Sequence, residues 1–271
     1  MSDCSSCPSK GKCGSSSESC GKKNNPLNKV KKIVGVMSGK GGVGKSTISA
    51  MLVKELNKRG FKVGLLDADI TGPSAVRLMG LQGERAYGDG EGNIIPAETP
   101  DGIKVMSLNL MMEDENQPVV WRGAMLSNCV KQFWEETLWG ELDYLVIDMP
   151  PGTGDVTLTV MQSIPLSGII MVSLPQDMVG MIVTKSLNMA RMLNIPVYGL
   201  VQNMSYVKCP HCDEKIRIYG DSTSNIALEQ GIPLLGELPA NADIAKLSQG
   251  KGEISDKEVM QVFDTLVKTI G

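Results

Sequence analysis

The sequence predicts a doubly wound α/β fold with a mostly parallel sheet, on three observations. Six short, apolar, β-rich runs recur along the chain. Amphipathic stretches with helical spacing lie between them. A glycine-rich turn separates the first run from the first such stretch. Each run is nearly continuous rather than alternating, as in strands buried on both faces of a parallel sheet. Strands alternating with helices around one core give an open sheet with helices on both sides.

The runs fall at 33–37, 63–66, 104–108, 144–147, 169–174 and 197–202. Ile48, Met51, Leu52 and Leu56 mark the apolar face of a first helix, and Gly60 sits where a left-handed C-terminal stop belongs. Leu126, Val130, Phe133 and Trp134 mark another; Ile182, Val183, Leu187 and Ala190 mark a third. The glycine-rich stretch 83–102 reads as a loop or small hairpin. Residues 253–271 carry Val259, Val262, Phe263 and Leu266 on one helical side, with Glu253, Asp256, Glu258 and Asp264 against Lys257 and Lys268. Membrane-surface helices favour Lys and Arg, so this one is expected to pack on the domain.

Length and composition restrict the function. A chain of 271 residues with 42% hydrophobic content builds a sizeable core without a metal staple. A formal net charge of −3 gives no electrostatic reason to expect nucleic acid or an anionic membrane as partner. No window approaches the roughly 20 apolar residues of a membrane span, and the N-terminus has no apolar signal core. The expectation is a cytoplasmic protein, whose seven cysteines are then metal ligands or thiols rather than disulfides. Residues 1–29, rich in Ser, Cys, Gly and Lys, have almost nothing to bury and read as a mobile tail unless metal orders them. Residues 30–271 read as one nucleotide-binding domain.

Residues 39–46, GKGGVGKS, match the phosphate-loop pattern GxxxxGK[ST] between a buried strand and a helix. Gly39, Lys40, Gly41, Gly42, Val43, Gly44, Lys45, Ser46 and Thr47 are the nucleotide-binding candidates. The glycines let backbone N–H groups curl round phosphate oxygens, and the helix N-terminus adds positive potential. Lys45 is placed to reach the β- and γ-phosphates and Ser46 to bind Mg²⁺. Two acidic clusters follow at strand ends, where ligands of such sheets bind. Asp148, in VIDMPPGTGD, is the expected holder of Mg²⁺ or its water. Asp69, in DADITGPS, is the expected positioner of the attacking water, whereas Asp67 is either a site residue or a strand-end turn residue. Asp155 is either a helix N-cap or a residue of a γ-phosphate-sensing loop. Asn203 can both donate to and accept from a base, and competes with an Asx-turn reading. Leu238 and Pro239 are candidates to flank the adenine.

Cys209-Pro-His-Cys212 supplies two thiolates, whereas a 4Fe–4S cluster or structural zinc commonly takes four ligands. The missing pair can come from a second copy, which is a sequence-level reason to expect a two-fold homodimer with metal on its axis. His211, inside the motif, is a third zinc ligand or an exposed neighbour. Cys129 lies in a helical pattern and reads as a buried thiol. Cys4, Cys7, Cys13 and Cys20 can hold a second cluster, zinc or nothing.

Together KGGVGKS, DADITGPS, VWRG at 120–123, VIDMPPGTGD, VQNMSYVKCPHC and IPLLGELP resemble the Mrp/ApbC family of iron–sulfur cluster carrier ATPases, relatives of the Nbp-type scaffolds. The resemblance covers about residues 29–250. That family belongs to the deviant-Walker-A NTPases, with the nitrogenase iron protein and the MinD cell-division ATPase. The CxxC is its most discriminating motif, since MinD-type relatives lack it. The tail resembles the scaffolds only in Cys4-x2-Cys7-x5-Cys13, because Cys20 lies downstream of that trio and their fourth cysteine upstream. The resemblance implies that Lys40 reaches the nucleotide of a partner subunit. It implies an ATP hydrolase, with Lys40, Lys45, Ser46, Asp69 and Asp148 in hydrolysis, that assembles a labile 4Fe–4S cluster between paired Cys209 and Cys212. Upstream cluster donors and apo iron–sulfur clients are the implied partners. The alternatives are a MinD/ParA-like positioning ATPase and a dimer with purely structural zinc.

Overall fold

The computed structural model describes residues 24–114, 121–175, 177–212, 214–217, 224–240 and 256–271. Cys4, Cys7, Cys13 and Cys20 lie outside the described residues. The packed region starts earlier than the expected boundary at residue 30. Asn25 and Asn28 are buried, and the Asn28 side-chain amide donates to the Thr137 carbonyl at 2.8 Å.

The first strand, β1 (Lys29–Ser38), is followed by α1 (Lys45–Lys58), β2 (Val63–Asp67) and the short α2 (Ala75–Leu78). Four brief strands come next: β3 (Tyr87–Gly88), β4 (Ile94–Ile95), β5 (Ala97–Glu98) and β6 (Lys104–Met106). Then come α3 (Ala124–Glu135), β7 (Glu141–Asp148), α4 (Asp155–Ser163), β8 (Gly168–Ser173), α5 (Asp177–Met192) and β9 (Val197–Lys208). The chain closes with β10 (Lys215–Ile216), α6 (Ser224–Gln230), β11 (Leu234–Pro239) and α7 (Lys257–Ile270).

Among the described residues, nine strands form one sheet in the order β10-β9-β8-β1-β7-β2-β6-β5, with β11 also paired to β9. All pairings are parallel except β5 with β6 and β10 with β9. The expected doubly wound, mostly parallel sheet is present. Every residue of β2 and β8 is buried, which is why their sequences run apolar instead of alternating. The 83–102 stretch contains the β3–β4 hairpin as expected.

α1 ends as its sequence suggests. Gly60 takes φ +87°, its N–H bonds to the Asn57 carbonyl, and the Phe61 N–H bonds to the Leu56 carbonyl. That paired pattern satisfies the last carbonyls of the helix. The C-terminal α7 buries Val259, Val262, Phe263, Leu266, Val267 and Ile270 against the domain, the packed arrangement its acidic charge favoured. No helix among the described residues is long and apolar enough to cross a membrane.

Candidate functional site

The sheet brings the predicted residues together at the carboxyl ends of its central strands. β1 lies between β7 and β8, so the loop after β1 opens where the strand order reverses. The parallel register of β2 on β7 sets Asp67 opposite Asp148. The loops are knitted by backbone bonds: Ala68 N–H to the Asp148 carbonyl, Met149 N–H to that of Val36, and Gly152 N–H to that of Ser38.

Over the loop lies a cavity of about 290 Å³. Gly41, Gly42, Gly44, Lys45, Ser46, Thr47 and Asp69 line it, together with Arg77 and Pro151. The N-terminus of the 14-residue α1 faces this space, so its unpaired N–H groups and dipole favour an anion there. Lys45 is 6% exposed. Its ammonium donates to Asp148 Oδ1 at 2.7 Å and lies 3.7 Å from Asp69 Oδ2 and 3.3 Å from Ser46 Oγ. Asp148 Oδ1 also accepts from the Ser49 hydroxyl at 2.9 Å, while Asp148 Oδ2 is buried without a protein partner. The orphaned oxygen belongs to a carboxylate that shares the Lys45 ammonium with the Ser46 hydroxyl, and such a pair of oxygen ligands fits a hydrated divalent cation. The glycine cradle and helix N-terminus fit a nucleotide phosphate.

The two acids of DADITGPS separate into different roles. Asp67 is 1% exposed and accepts four bonds, from the N–H groups of Asp69, Ser74 and Ala75 and from the Ser107 hydroxyl. Burial and the neighbouring Asp148 push its carboxyl up to about 7, against the pull of Lys45 and the backbone donors. It therefore pins α2 and the loop before it, the strand-end reading. Asp69 lines the cavity, and burial raises its pKa while Lys45 opposes the rise. Asp155 is not an N-cap: Gly154 occupies that position, and Asp155 is the exposed first residue of α4.

Asn203 is not in an Asx-turn. Its side-chain amide donates to the Val43 carbonyl at 2.9 Å, and its Oδ1 is buried without a partner. A Cβ on Gly44 would collide with the Asn203 side-chain amide, so any larger residue here would push that side chain away from the loop. Lys40 is half-buried and lies outside the set lining the cavity, as do Asn203 and Pro239. Pro239, at the end of β11, is buried and pairs with Tyr206.

The CxxC stands apart, at the far end of β9. Lys208 and Val207 pair with Lys215 and Ile216, and the Cys209 N–H donates to the Glu214 carbonyl at 2.9 Å. Cys209 is half-buried, while Pro210, His211 and Cys212 are exposed in the turn. Among the described residues, no three His, Cys, Asp or Glu side chains converge as a metal-ligand set. The turn itself supplies two thiols, Cys209 and Cys212. Cys129 is buried in α3, and burial pushes its thiol up to about 11, as for an inert core cysteine.

Sequence reasoning missed Ser49. Its spacing from Lys45 held the signal, since residues four apart share a helix face. Arg77 had no such signal, because α2 becomes visible only in the fold. Trp121 of the VWRG stretch is partly exposed on a separate groove with Met111 and Met125, and Val120 lies outside the described residues.

Residues 29–271 match the family model ParA, described as NUBPL iron-transfer P-loop NTPase. The chain is 47% identical over 268 residues to the iron-sulfur cluster carrier protein of Clostridium perfringens, covering 93% of this chain and 94% of that one. It is 41% identical over 276 residues to the protein of the same name from Methanocaldococcus jannaschii, covering 98% and 94%. Among solved structures it resembles a nucleotide-binding protein of Archaeoglobus fulgidus in complex with ADP, with TM-score 0.75 and 38% identity over 88% of this chain and 93% of that one. The cell-division ATPase MinD of Pyrococcus furiosus shares the fold, with TM-score 0.62 and 20% identity over 88% of this chain and 99% of that one.

Proposed function

Because the chain belongs to the NUBPL iron-transfer P-loop NTPase family, we propose that it is an ATP-dependent iron–sulfur cluster carrier. Its cargo is a labile 4Fe–4S cluster shared between the Cys209 and Cys212 pairs of two subunits and passed to apo-proteins. Upstream cluster donors would load it. The observation that carries this reading is the course of β9. One strand, Val197–Lys208, touches the phosphate loop through Asn203 and delivers Cys209 one residue past its end.

Each end has a distinct task. Lys45 would hold the β- and γ-phosphates, exchanging its two carboxylate partners for phosphate oxygens. Ser46 and the orphaned Asp148 oxygen would hold Mg²⁺, whose positive charge, when it is bound, would offset the negative charge of the phosphate oxygens. Asp69 would orient the attacking water. Lys40, outside its own subunit's cavity, would reach the partner's nucleotide. The buried Asn203 Oδ1 is an acceptor suited to an adenine amino group. Pro239, on the strand paired with β9, would flank that base. Nucleotide state would move the loop, Asn203 and with them the strand that leads to the cysteines.

The test is anaerobic reconstitution with iron and sulfide, with both assayed per dimer beside the visible spectrum. Protein lacking residues 1–23 is expected to retain one 4Fe–4S cluster per dimer. Cys209→Ser or Cys212→Ser in that protein should abolish it, because each change removes two of four thiolates. Full-length protein takes up additional iron only if Cys4, Cys7, Cys13 and Cys20 bind a cluster of their own. Zinc without sulfide in the truncated protein would replace the carrier reading with a structural metal.

A further inference from the structure

The cysteine turn rests on a small base. β10 has only two residues, so the ladder that closes the turn consists of Lys215 opposite Lys208 and Ile216 opposite Val207, plus the Cys209–Glu214 backbone bond. The pair nearest the cysteines is two lysines, and like charges directly opposite each other push strands apart. Without a counter-charge this hairpin would tend to open at the end that carries the thiols.

Glu258, in the first turn of α7, supplies that counter-charge. Its Oε2 lies 3.0 Å from Lys215 Nζ and 3.5 Å from Lys208 Nζ, and accepts the Tyr206 hydroxyl at 2.6 Å. Lys208 also bonds to Asp256 at 3.0 Å, and the Lys215 ammonium sits 4.4 Å from the centre of the Tyr206 ring. Asp256 in turn caps α7 by accepting the Glu258 N–H at 2.9 Å. Just past β10, Arg217 makes a two-pronged pair with Glu237 of β11 at 2.9 and 2.8 Å. The arm is therefore fixed to the domain at two points. Arg217 fastens the strand that leaves it, and Glu258 joins both of its strands to the C-terminal helix.

We propose that Glu258 is a positioning residue that fixes the Cys209–Cys212 arm against α7, so that both thiols are held in one direction. This deepens the carrier reading and rests on it for its purpose, but the geometry concerns the apo chain. A carboxylate bridging two opposed lysines holds the ladder shut without contributing to the packed core. Loss of that charge should loosen the arm while leaving the nucleotide end as it was.

The experiment uses the full chain in wild-type, Glu258→Ala, Glu258→Gln, Glu258→Lys and paired Glu258→Lys/Lys215→Glu forms. Two readouts need no cluster: hydrogen exchange of the segment containing the Cys209 amide, and the alkylation rate of Cys209 relative to exposed Cys212 in the same molecule. Glu258→Ala is expected to raise both by roughly five- to tenfold, as for loss of several partly exposed pairs sharing one hub. Glu258→Gln should fall between, since it keeps hydrogen bonding but not charge. The paired exchange should recover part of the protection lost in Glu258→Lys alone. ATP turnover should stay within about twofold in all of them. After reconstitution, Glu258→Ala should also surrender iron to a chelator faster than wild type. Unchanged exchange and alkylation in Glu258→Ala overturn the proposal, as does a rise in exchange spread evenly over the molecule, which would mark general destabilisation. If wild-type protein takes up no iron and sulfide, the carrier reading fails, while the exchange and alkylation results still decide what holds the arm.

Discussion

The nucleotide end and the cysteine arm use charge in opposite ways. Around the phosphate loop the ionisable groups are inside: Lys45, Asp67 and Asp148 are all under 10% exposed, the lysine at the start of α1 and the two acids at the ends of strands in the middle of the sheet. At the arm the charges are on the surface: Lys215 and Glu258 are more than 40% exposed, and the ladder beneath them has two rungs. Buried pairs are costly to break because they leave an uncompensated charge, whereas exposed pairs contribute little each and are screened by salt. The first arrangement suits a preorganised site that stabilises developing charge, the second a segment that shifts at small energetic cost. β9 joins the two.

The largest effect is expected where the buried end is broken. Lys45→Ala removes the ammonium that meets Asp148 and is proposed to hold the phosphates, and steady-state ATP turnover should fall about 100-fold or more. Turnover near wild type in folded protein would place phosphate binding elsewhere.

A subtler break tests the proposal that the nucleotide site is shared between two subunits. Lys40→Ala and Asp69→Asn homodimers should each be poorly active. Mixed dimers contain one site with intact Asp69 and an intact partner lysine, so subunit exchange should restore up to about a quarter of wild-type turnover, for random mixing and independent sites. Demonstrated exchange with no recovery would mean that Lys40 acts within its own chain.

The join between the ends can be tested at Gly44. Gly44→Ala places a Cβ against the Asn203 amide at a residue with φ +81°, whereas Gly60→Ala, at φ +87°, meets nothing within 4 Å. Each bears a left-handed backbone cost of about 1–2 kcal/mol. In urea unfolding Gly44→Ala should be the more damaging, and the difference measures how tightly loop and strand fit. Equal losses would show that β9 yields freely to the loop.

The smallest effect belongs to the arm and depends on pH. Tyr206, Lys215 and Lys208 hold the Glu258 carboxyl down, to about 2 from its usual 4.5. A depressed carboxylate contributes stability that is present above 4.5 and lost as pH falls through 2. Melting temperatures of wild type and Glu258→Gln should therefore differ by a constant small amount above about pH 5, and the gap should narrow below about pH 4.5 and close only near about pH 2. A gap that persists or grows in acid would contradict the depressed pKa.

The sequence determined the parts whose pattern is local. Continuous apolar runs marked buried strands, the apolar faces at 48–56, 126–134 and 182–190 marked α1, α3 and α5, and Gly60 marked the end of α1. GKGGVGKS and CPHC each carry their chemistry within a few residues, so the loop and the turn were legible before any fold was known. The tertiary structure decided what depends on partners distant in sequence. Asp67 and Asp69 are two residues apart and look alike in the chain, yet register and the backbone donors of residues 69–75 made one a pin and the other a cavity wall. Asn203 meets the loop 160 residues away, and Ser49 matters only because Asp148 arrives beside it. Glu258 looked like surface charge on a helix until the fold set it between two opposed lysines. A side chain's reach is a few ångströms in space, and separation along the chain says nothing about which groups will fall within it.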